Sequence, residues 1–161
     1  MSSLTSFTVR TATPKDAAVL VEARRHMYED MGETNESSLD IADAQFSAWL
    51  AGRLEDGRAI GYIAQTPDGG WLGALTAQAQ DTQPSLGNPS ARQHYLFGLW
   101  VRPEARRKGV ATALVAAATE GAKADGAGLI SLNATDAGRL VYERMGFERN
   151  TSMRMFLDPL P

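Results

Sequence analysis

The chain has 161 residues, enough for one domain with a full hydrophobic core and no covalent staples. Apolar residues make up 43% and charged residues 22%, an ordinary globular balance, and a net charge of −3 announces no nucleic-acid partner. With no cysteine, a thiol nucleophile, a disulfide framework and a Cys-based zinc site are excluded, and His26 and His94 lie too far apart in sequence to suggest a metal site.

Residues 1–8 lack a basic segment followed by an apolar run, so no signal peptide is expected. No apolar stretch approaches the ~20 residues needed to span a bilayer. The expectation is a soluble, cytoplasmic protein without a membrane partner. A short strand is predicted over residues 7–10. Thr13-Pro14-Lys15-Asp16 then reads as a helix start: Thr13 caps, Pro14 suits the first helical position, and Asp16 reaches back. Leu20, Ala23, Met27 and Met31 form an apolar stripe at helical spacing, and Gly32 ends it. Residues 33–38 read as polar and irregular. A second helix is expected from about Asp40, with Phe46, Trp49, Leu50 and Leu54 on one face, closed by Asp56-Gly57. Two strands, 59–66 and 71–78, are joined by the hairpin loop Pro67-Asp68-Gly69-Gly70.

Residues 81–92, rich in Pro, Ser, Asn, Gln and Gly, read as a loop open to motion. A strand over 95–101 follows, and Pro103 forces the chain out of the ladder. A small-residue helix over 109–124 is expected to bury Ala111, Leu114, Val115, Ala118 and Ala122. Gly126 and Gly128 flank the turn into a buried strand, 129–132. A short helix over 136–145 stops at Gly146. Alternation in Met153-Arg154-Met155-Phe156-Leu157 reads as a final core strand, with dimerisation through its Met153, Met155 and Leu157 face left open. The order β-α-α-β-β-β-α-β-α-β, without repeat or linker, defines one mixed α/β domain over residues 5–158. Trp49, Trp71 and Trp100 read as core or interface residues.

The chemically informative stretch runs from Leu99 to Thr112. A strand ends, a basic loop turns through Arg106, Arg107 and Lys108, and a helix starts at Gly109. Amides at a helix start have no intrahelical partners, and the macrodipole adds partial positive charge there. Such a turn can hold a pyrophosphate, with Gly109 letting the backbone approach closely. It is neither a P-loop, since Lys108 precedes Gly109, nor a G-x-G-x-x-G turn. Read locally, it is either a phosphate cradle or a solvated basic loop.

Arg106-Arg107-Lys108-Gly109-Val110-Ala111 resembles the R/Q-x-x-G-x-G/A signature of the GNAT superfamily of N-acetyltransferases, in the family's position between a fourth strand and a third helix. Downstream, the segment from Gly138 to Phe147 (Gly-Arg-Leu-Val-Tyr-Glu-Arg-Met-Gly-Phe) resembles the family's A-x-x-L-Y-E-K-x-G-F. The order of elements agrees, so the likeness extends from Thr5 to Leu157. It implies an α/β fold with a mixed, mostly antiparallel central sheet, helices on both faces, and a splay between the fourth and fifth strands. It also implies acetyl-CoA as acyl-donor cosubstrate, with no metal.

Carried over residue by residue, the resemblance implies that main-chain groups of Leu99, Trp100 and Val101 run beside the pantetheine. Arg107, Lys108, Gly109, Val110, Ala111 and Thr112 surround the pyrophosphate, while Arg106 braces the loop or a phosphate. Tyr142 matches the family tyrosine that assists the departing thiolate. A thiol of pKa near ~8.5 needs little help, and a phenol near ~10 can give a proton or hydrogen bond. The plain alternative is a packed tyrosine with its hydroxyl at the surface. Gly138, one turn before Tyr142, stands where the family usually has alanine and leaves room for the sulfur. Asn133 either hydrogen-bonds cofactor or substrate, or caps the turn before Asp136.

Many family members carry a carboxylate on the fourth strand to deprotonate the amine. Residues 95–101 contain none. His94, Asp81 or a water chain are the candidates, and Glu29, Asp30 and Glu33 either line an acceptor pocket or are solvated; no base is assigned. The resemblance implies an N-acetyltransferase acting on a small-molecule or peptide amine. The acceptor is open among polyamine, amino acid, peptide N-terminus, lysine side chain and aminoglycoside. A non-catalytic acyl-CoA-binding regulatory protein of the same fold is the alternative.

Overall fold

The computed structural model describes residues 6–159; the predicted domain start at residue 5 lies just outside them. Strand β1 (Thr8–Thr11) leads through a 3-10 turn (Pro14–Asp16) into α1 (Ala17–Asp30), followed by α2 (Glu36–Leu50) and the single turn α3 (Arg53–Asp56). Strands β2 (Ala59–Gln65), β3 (Trp71–Asp81) and β4 (Arg92–Val101) come next. A second 3-10 turn (Pro103–Ala105), α4 (Val110–Ala124), β5 (Leu129–Leu132) and α5 (Asp136–Arg144) complete the order.

The five strands form one sheet in chain order, β1-β2-β3-β4-β5. Neighbours are antiparallel except β4 and β5, which run parallel because α4 carries the chain back across the sheet. The sheet separates two cores. Leu114, Val115 and Ala118 of α4 pack with Tyr62, Leu75 and Leu96 on one face. Leu20 and Ala23 of α1 and Phe46 and Leu50 of α2 pack with Ile63, Ala74 and Trp100 on the other. Strand residues alternate between the faces, as a pleat buried on both sides requires.

Local chemistry sets the joints. The Thr13 amide donates to Asp16 Oδ2 at 2.7 Å, the expected reach-back, and Arg10 grips the same carboxylate at 2.8 and 2.9 Å. The 67–70 turn closes with the Thr66 amide donating to Gly70 O at 2.8 Å.

Several expectations are corrected. The second helix starts at Glu36 rather than near Asp40. Its polar first turn hides the start from apolar periodicity, yet Asn35 is a good cap, its side chain accepting from the Ser38 amide at 3.1 Å. Met31 is 61% exposed, so the α1 stripe stops at Met27. The 81–92 loop is shorter: Asp81 pairs with Arg92 in the ladder, and Arg92 bonds the Asp81 carboxylate at 3.1 Å. What remains of the loop is anchored by Asn88, only 2% exposed, whose Nδ2 donates to Arg92 O at 3.1 Å. On α4 the buried set includes Val110, while Ala111 is half-buried. The predicted last strand does not form; residues 151–156 have no regular structure, and Met153 and Leu157 stand 96% and 89% exposed.

Candidate acyl-donor site

The site is built where β4 parts from its neighbour. β5 pairs with β4 only from Gln93 to Leu96, so positions 97–101 have no strand partner on that edge among the described residues. A bulge marks the parting. Ala74 faces Trp100 and Thr76 faces Phe97, so Leu75 of β3 opposes both Gly98 and Leu99. Gly98 sits at φ +68°, a left-handed conformation that glycine adopts without a Cβ penalty. The bulge bends β4 away from β5 and leaves main-chain groups without a sheet partner. Leu99 and Val101, two apart on the strand, both face the α4 layer, whereas the Trp100 side chain faces α1. The Trp100 main chain pairs with Ala74 of β3, so neither its side chain nor its amide opens on the gap.

Beyond Val101, the Pro103–Ala105 turn carries the chain to Arg106. Arg106 is a brace: its Nε donates to Val101 O at 2.9 Å and its Nη2 to Asp30 Oδ2 at 2.8 Å. Trp100 Nε1 donates to the same carboxylate oxygen at 2.9 Å. Asp30 thus ties the end of α1 to both β4 and the loop, a role its position at a polar helix end gave no hint of. The same contacts leave it little freedom as an acceptor-pocket acid.

Arg107 has φ +60° and Gly109 φ +82°, so left-handed residues flank Lys108. A non-glycine residue held there costs of order 1–3 kcal/mol, which tends to persist where a function needs the shape. Left-handed residues next to a helix start turn successive amides toward one side, the concavity that suits an anion. Gly109 is the N-cap of α4, and no side chain caps its first turn. The amides of Val110, Ala111 and Thr112 have no intrahelical acceptor there. A Cβ on Gly109 would meet nothing within 4 Å, so the requirement at this position is the backbone conformation. Arg107 is exposed and Lys108 half-exposed beside these amides.

Across the gap, Thr135 caps α5, its hydroxyl accepting from the Gly138 amide at 3.1 Å. Asn133 is therefore not the cap; its Nδ2 donates to the Tyr95 hydroxyl at 3.1 Å, linking the ends of β4 and β5. A Cβ on Gly138 would stand 3.3 Å from Thr135 Oγ1 and 3.4 Å from the Tyr142 ring, so the missing side chain leaves space beside that tyrosine. Tyr142 is half-buried and packs edge-on against Phe147 with centroids 5.6 Å apart. Burial raises its pKa above the ordinary tyrosine value, which keeps the phenol protonated through neutral pH.

The base candidates separate by position. His94 lies inside β4, 1% exposed, with Nε2 2.7 Å from Asp125 at the far end of α4. Five residues before Leu99 amount to roughly 16 Å along the strand, so His94 is out of reach of the gap. Asp81, paired with Arg92, is farther still. On the α1 face of β4, a residue that apolar spacing missed is His26, stacked on Trp100 at 4.4 Å and flanked by Glu22 and Glu29. Trp49 and Trp71 are partly buried in the α1–α2 core. Among the described residues no cluster of three or more His, Asp or Glu could hold a metal ion, and no helix is long and apolar enough to cross a membrane.

This geometry meets the comparisons with known proteins. Residues 17–147 match the model of the acetyltransferase (GNAT) family, and the chain belongs to that family. A GCN5-related N-acetyltransferase from Ralstonia eutropha is 25% identical, covers 94% of this chain and 99% of its own, and superposes with a TM-score of 0.87. A predicted acetyltransferase from Clostridium acetobutylicum, solved with acetyl-CoA, is also 25% identical, with 95% and 96% covered and a TM-score of 0.81. A ribosomal-protein-alanine N-acetyltransferase from Brucella melitensis, 19% identical over 96% of this chain and 100% of its own, shares the fold with a TM-score of 0.69. Among curated proteins, none matches the chain.

Proposed function

We propose that the protein is a cytoplasmic N-acetyltransferase that moves the acetyl group of acetyl-CoA directly onto a primary amine of a small molecule or peptide. One observation carries the reading: the open edge of β4 past Leu96 leads straight into the left-handed turn that starts α4. An extended amide-bearing arm attached to a diphosphate fits that sequence of features. Main-chain groups of Leu99 and Val101 would pair with the arm, although Arg106 already donates to the Val101 carbonyl, which leaves the Val101 amide and Leu99 for the ligand. Amides from Arg107 to Thr112 would hold the phosphates, with Arg107 and Lys108 supplying charge.

In the reaction, the amine attacks the thioester carbonyl, the C–S bond breaks, and the proton lost by nitrogen leaves to solvent or base. Amides on the open edge of β4 polarise the carbonyl oxygen. Tyr142 offers a proton or hydrogen bond to the departing sulfur, a task suited to a phenol that burial keeps neutral. Gly138 keeps space beside it.

The test is thiol release from acetyl-CoA across a panel of amines. Acetylated amine appearing with free CoA supports the enzyme. CoA binding with thermal stabilisation but no transfer to any amine favours the regulatory acyl-CoA-binding reading, for which the acid-free segment 95–101 speaks.

A further inference from the structure

Val110, at the start of α4, and Tyr142 both pack with the α4 core, so the face of the sheet left for the acceptor is that of α1 and α2. On that face, over the bulge, lies Arg24. A Cβ on Gly98 would stand 3.6 Å from Arg24 Cβ and 3.8 Å from its Cγ, so the arginine stem covers the point where β4 bends away from β5. Its guanidinium carbon lies 4.5 Å from the ring centroid of Phe46 and 5.2 Å from that of Tyr28, and Nη2 donates to the Tyr28 hydroxyl at 3.0 Å.

Arg24 is half-buried, and among the described residues that hydroxyl is its one hydrogen-bond acceptor and no carboxylate pairs with it. Its neighbours differ: Arg25 pairs with Glu36, Asp40 and Asp43, and Arg106 with Asp30. A charge drawn partly out of water is costly to leave unpaired, and ring faces hold a guanidinium without accepting its fork of N–H donors. The group that fills the fork is a carboxylate. Beside it, Phe97 stacks on Tyr95 and meets Trp49 edge-on, each pair with centroids 5.9 Å apart and all three rings half-buried. A single side-chain length separates the bulge from the guanidinium, so an amine at the one and a carboxylate at the other belong to one small molecule. We infer that the acceptor is an amino acid with an apolar side chain, its α-carboxylate held by Arg24, its side chain against Phe97 and Trp49, and its α-amine over the bulge at Gly98. A polyamine or aminoglycoside, cationic throughout, meets a like charge there. The inference rests on the acetyl-transfer reading for where the amine sits; the carboxylate site rests on the surroundings of Arg24.

Isothermal titration of L-phenylalanine and L-leucine, each beside its carboxamide, into the protein in the presence of CoA tests the site without turnover. The acids should bind at least about tenfold tighter than the amides, the size of a charge-assisted contact. Arg24→Met, which keeps a stem over Gly98 and removes the fork, should shrink that preference below about threefold, and Arg24→Lys should restore only part of it. Circular dichroism checks the fold of both variants. In acetyl-transfer assays the same compounds should rank in the same order, with the difference carried by KM. Equal affinity for acid and amide in the unmodified protein overturns the inference. So does an absence of binding by either amino acid, a preference that survives in Arg24→Met, or tighter binding of spermidine than of both amino acids. The binding preference without any acetylated product would support the carboxylate site and strike the transferase reading instead.

Discussion

Tyr142 and Gly109 carry different kinds of information. Tyr142 was legible as a chemical group, because its match to a family motif comes with a phenol at a defined spacing from Gly138. Its half-burial and raised pKa were not legible, since they depend on Phe147 and the α4 core closing around it. Tyr142→Phe should lower the rate of acetyl transfer about 10- to 100-fold while changing CoA affinity less than twofold, since a good leaving group puts the effect at the low end of general-acid contributions. Steady-state thiol release and calorimetry separate the two, and equal losses in both would assign Tyr142 to packing. Gly109 was legible as a position for close backbone approach; that Arg107, two residues earlier, is also left-handed was not, because nothing in an arginine signals φ +60°.

The same scale explains the misplaced base candidates. His94 fell between the predicted loop over 81–92 and the predicted strand from 95, but the ladder continues through Gln93 and Arg92 and draws it inside. Asp30 looked solvated because acidic helix ends usually are, whereas Trp100 and Arg106 converge on it from 70 and 76 residues away. Asp30→Asn should keep the fold and loosen Arg106, weakening CoA binding by about three- to tenfold, since a charge-assisted hydrogen bond contributes roughly 1.5–3 kcal/mol when intact and less at an exposed pair. A dissociation constant within twofold of the wild type, read by calorimetry, would remove Asp30 from the account.

At the level of elements, periodicity found the long amphipathic pieces and missed where a polar first turn begins them. α4 announced itself through its small apolar face and glycine start. α2 was expected from about Asp40, four residues late, because the signal at its start is the Asn35 cap and the Glu36 carboxylate in the first turn. The joint between β1 and α1 makes a measurable prediction. Arg10 and the Thr13 amide hold Asp16 well below the usual carboxylate range, and His94, with Arg92, lowers Asp125. A depressed folded-state pKa means that the unfolded chain takes up protons first as pH falls, so the stability from these groups is full above about pH 4 and is lost below it. Urea midpoints should therefore fall steeply between pH 5 and pH 2 (a range set by ordinary carboxylate values). Asp16→Asn should flatten that slope and lower the midpoint at pH 7. At the alkaline end the sign reverses: burial raises Tyr62 and Tyr142, so stability falls as pH rises past about 10, where the unfolded phenols ionise first. An unchanged midpoint between pH 9 and pH 11 would contradict those burials.

For the whole molecule, the sheet order, the two cores and the splay between β4 and β5 follow from one arrangement: α1 to α3 lead from β1 back to pair β2 beside it, hairpins build β2 to β4, a crossover helix adds β5 in parallel, and a bulge at Gly98 opens the gap. The hairpins and the crossover were readable from turn residues and apolar runs. The bulge was not, because a glycine inside an apolar strand looks the same whether the ladder is regular or interrupted. The tail shows the opposite failure, a segment with strand alternation that has no strand neighbour among the described residues.

All of the chemistry presupposes that the backbone turn at Gly109 receives the diphosphate of CoA. Isothermal titration of CoA into the unmodified protein and into Gly109→Glu tests this most directly, with circular dichroism to confirm that both are folded. Binding to the former and a loss of at least about tenfold in the latter, equivalent to 1.4 kcal/mol, is the expected result. No affinity for CoA, or equal affinity in both proteins, would contradict it.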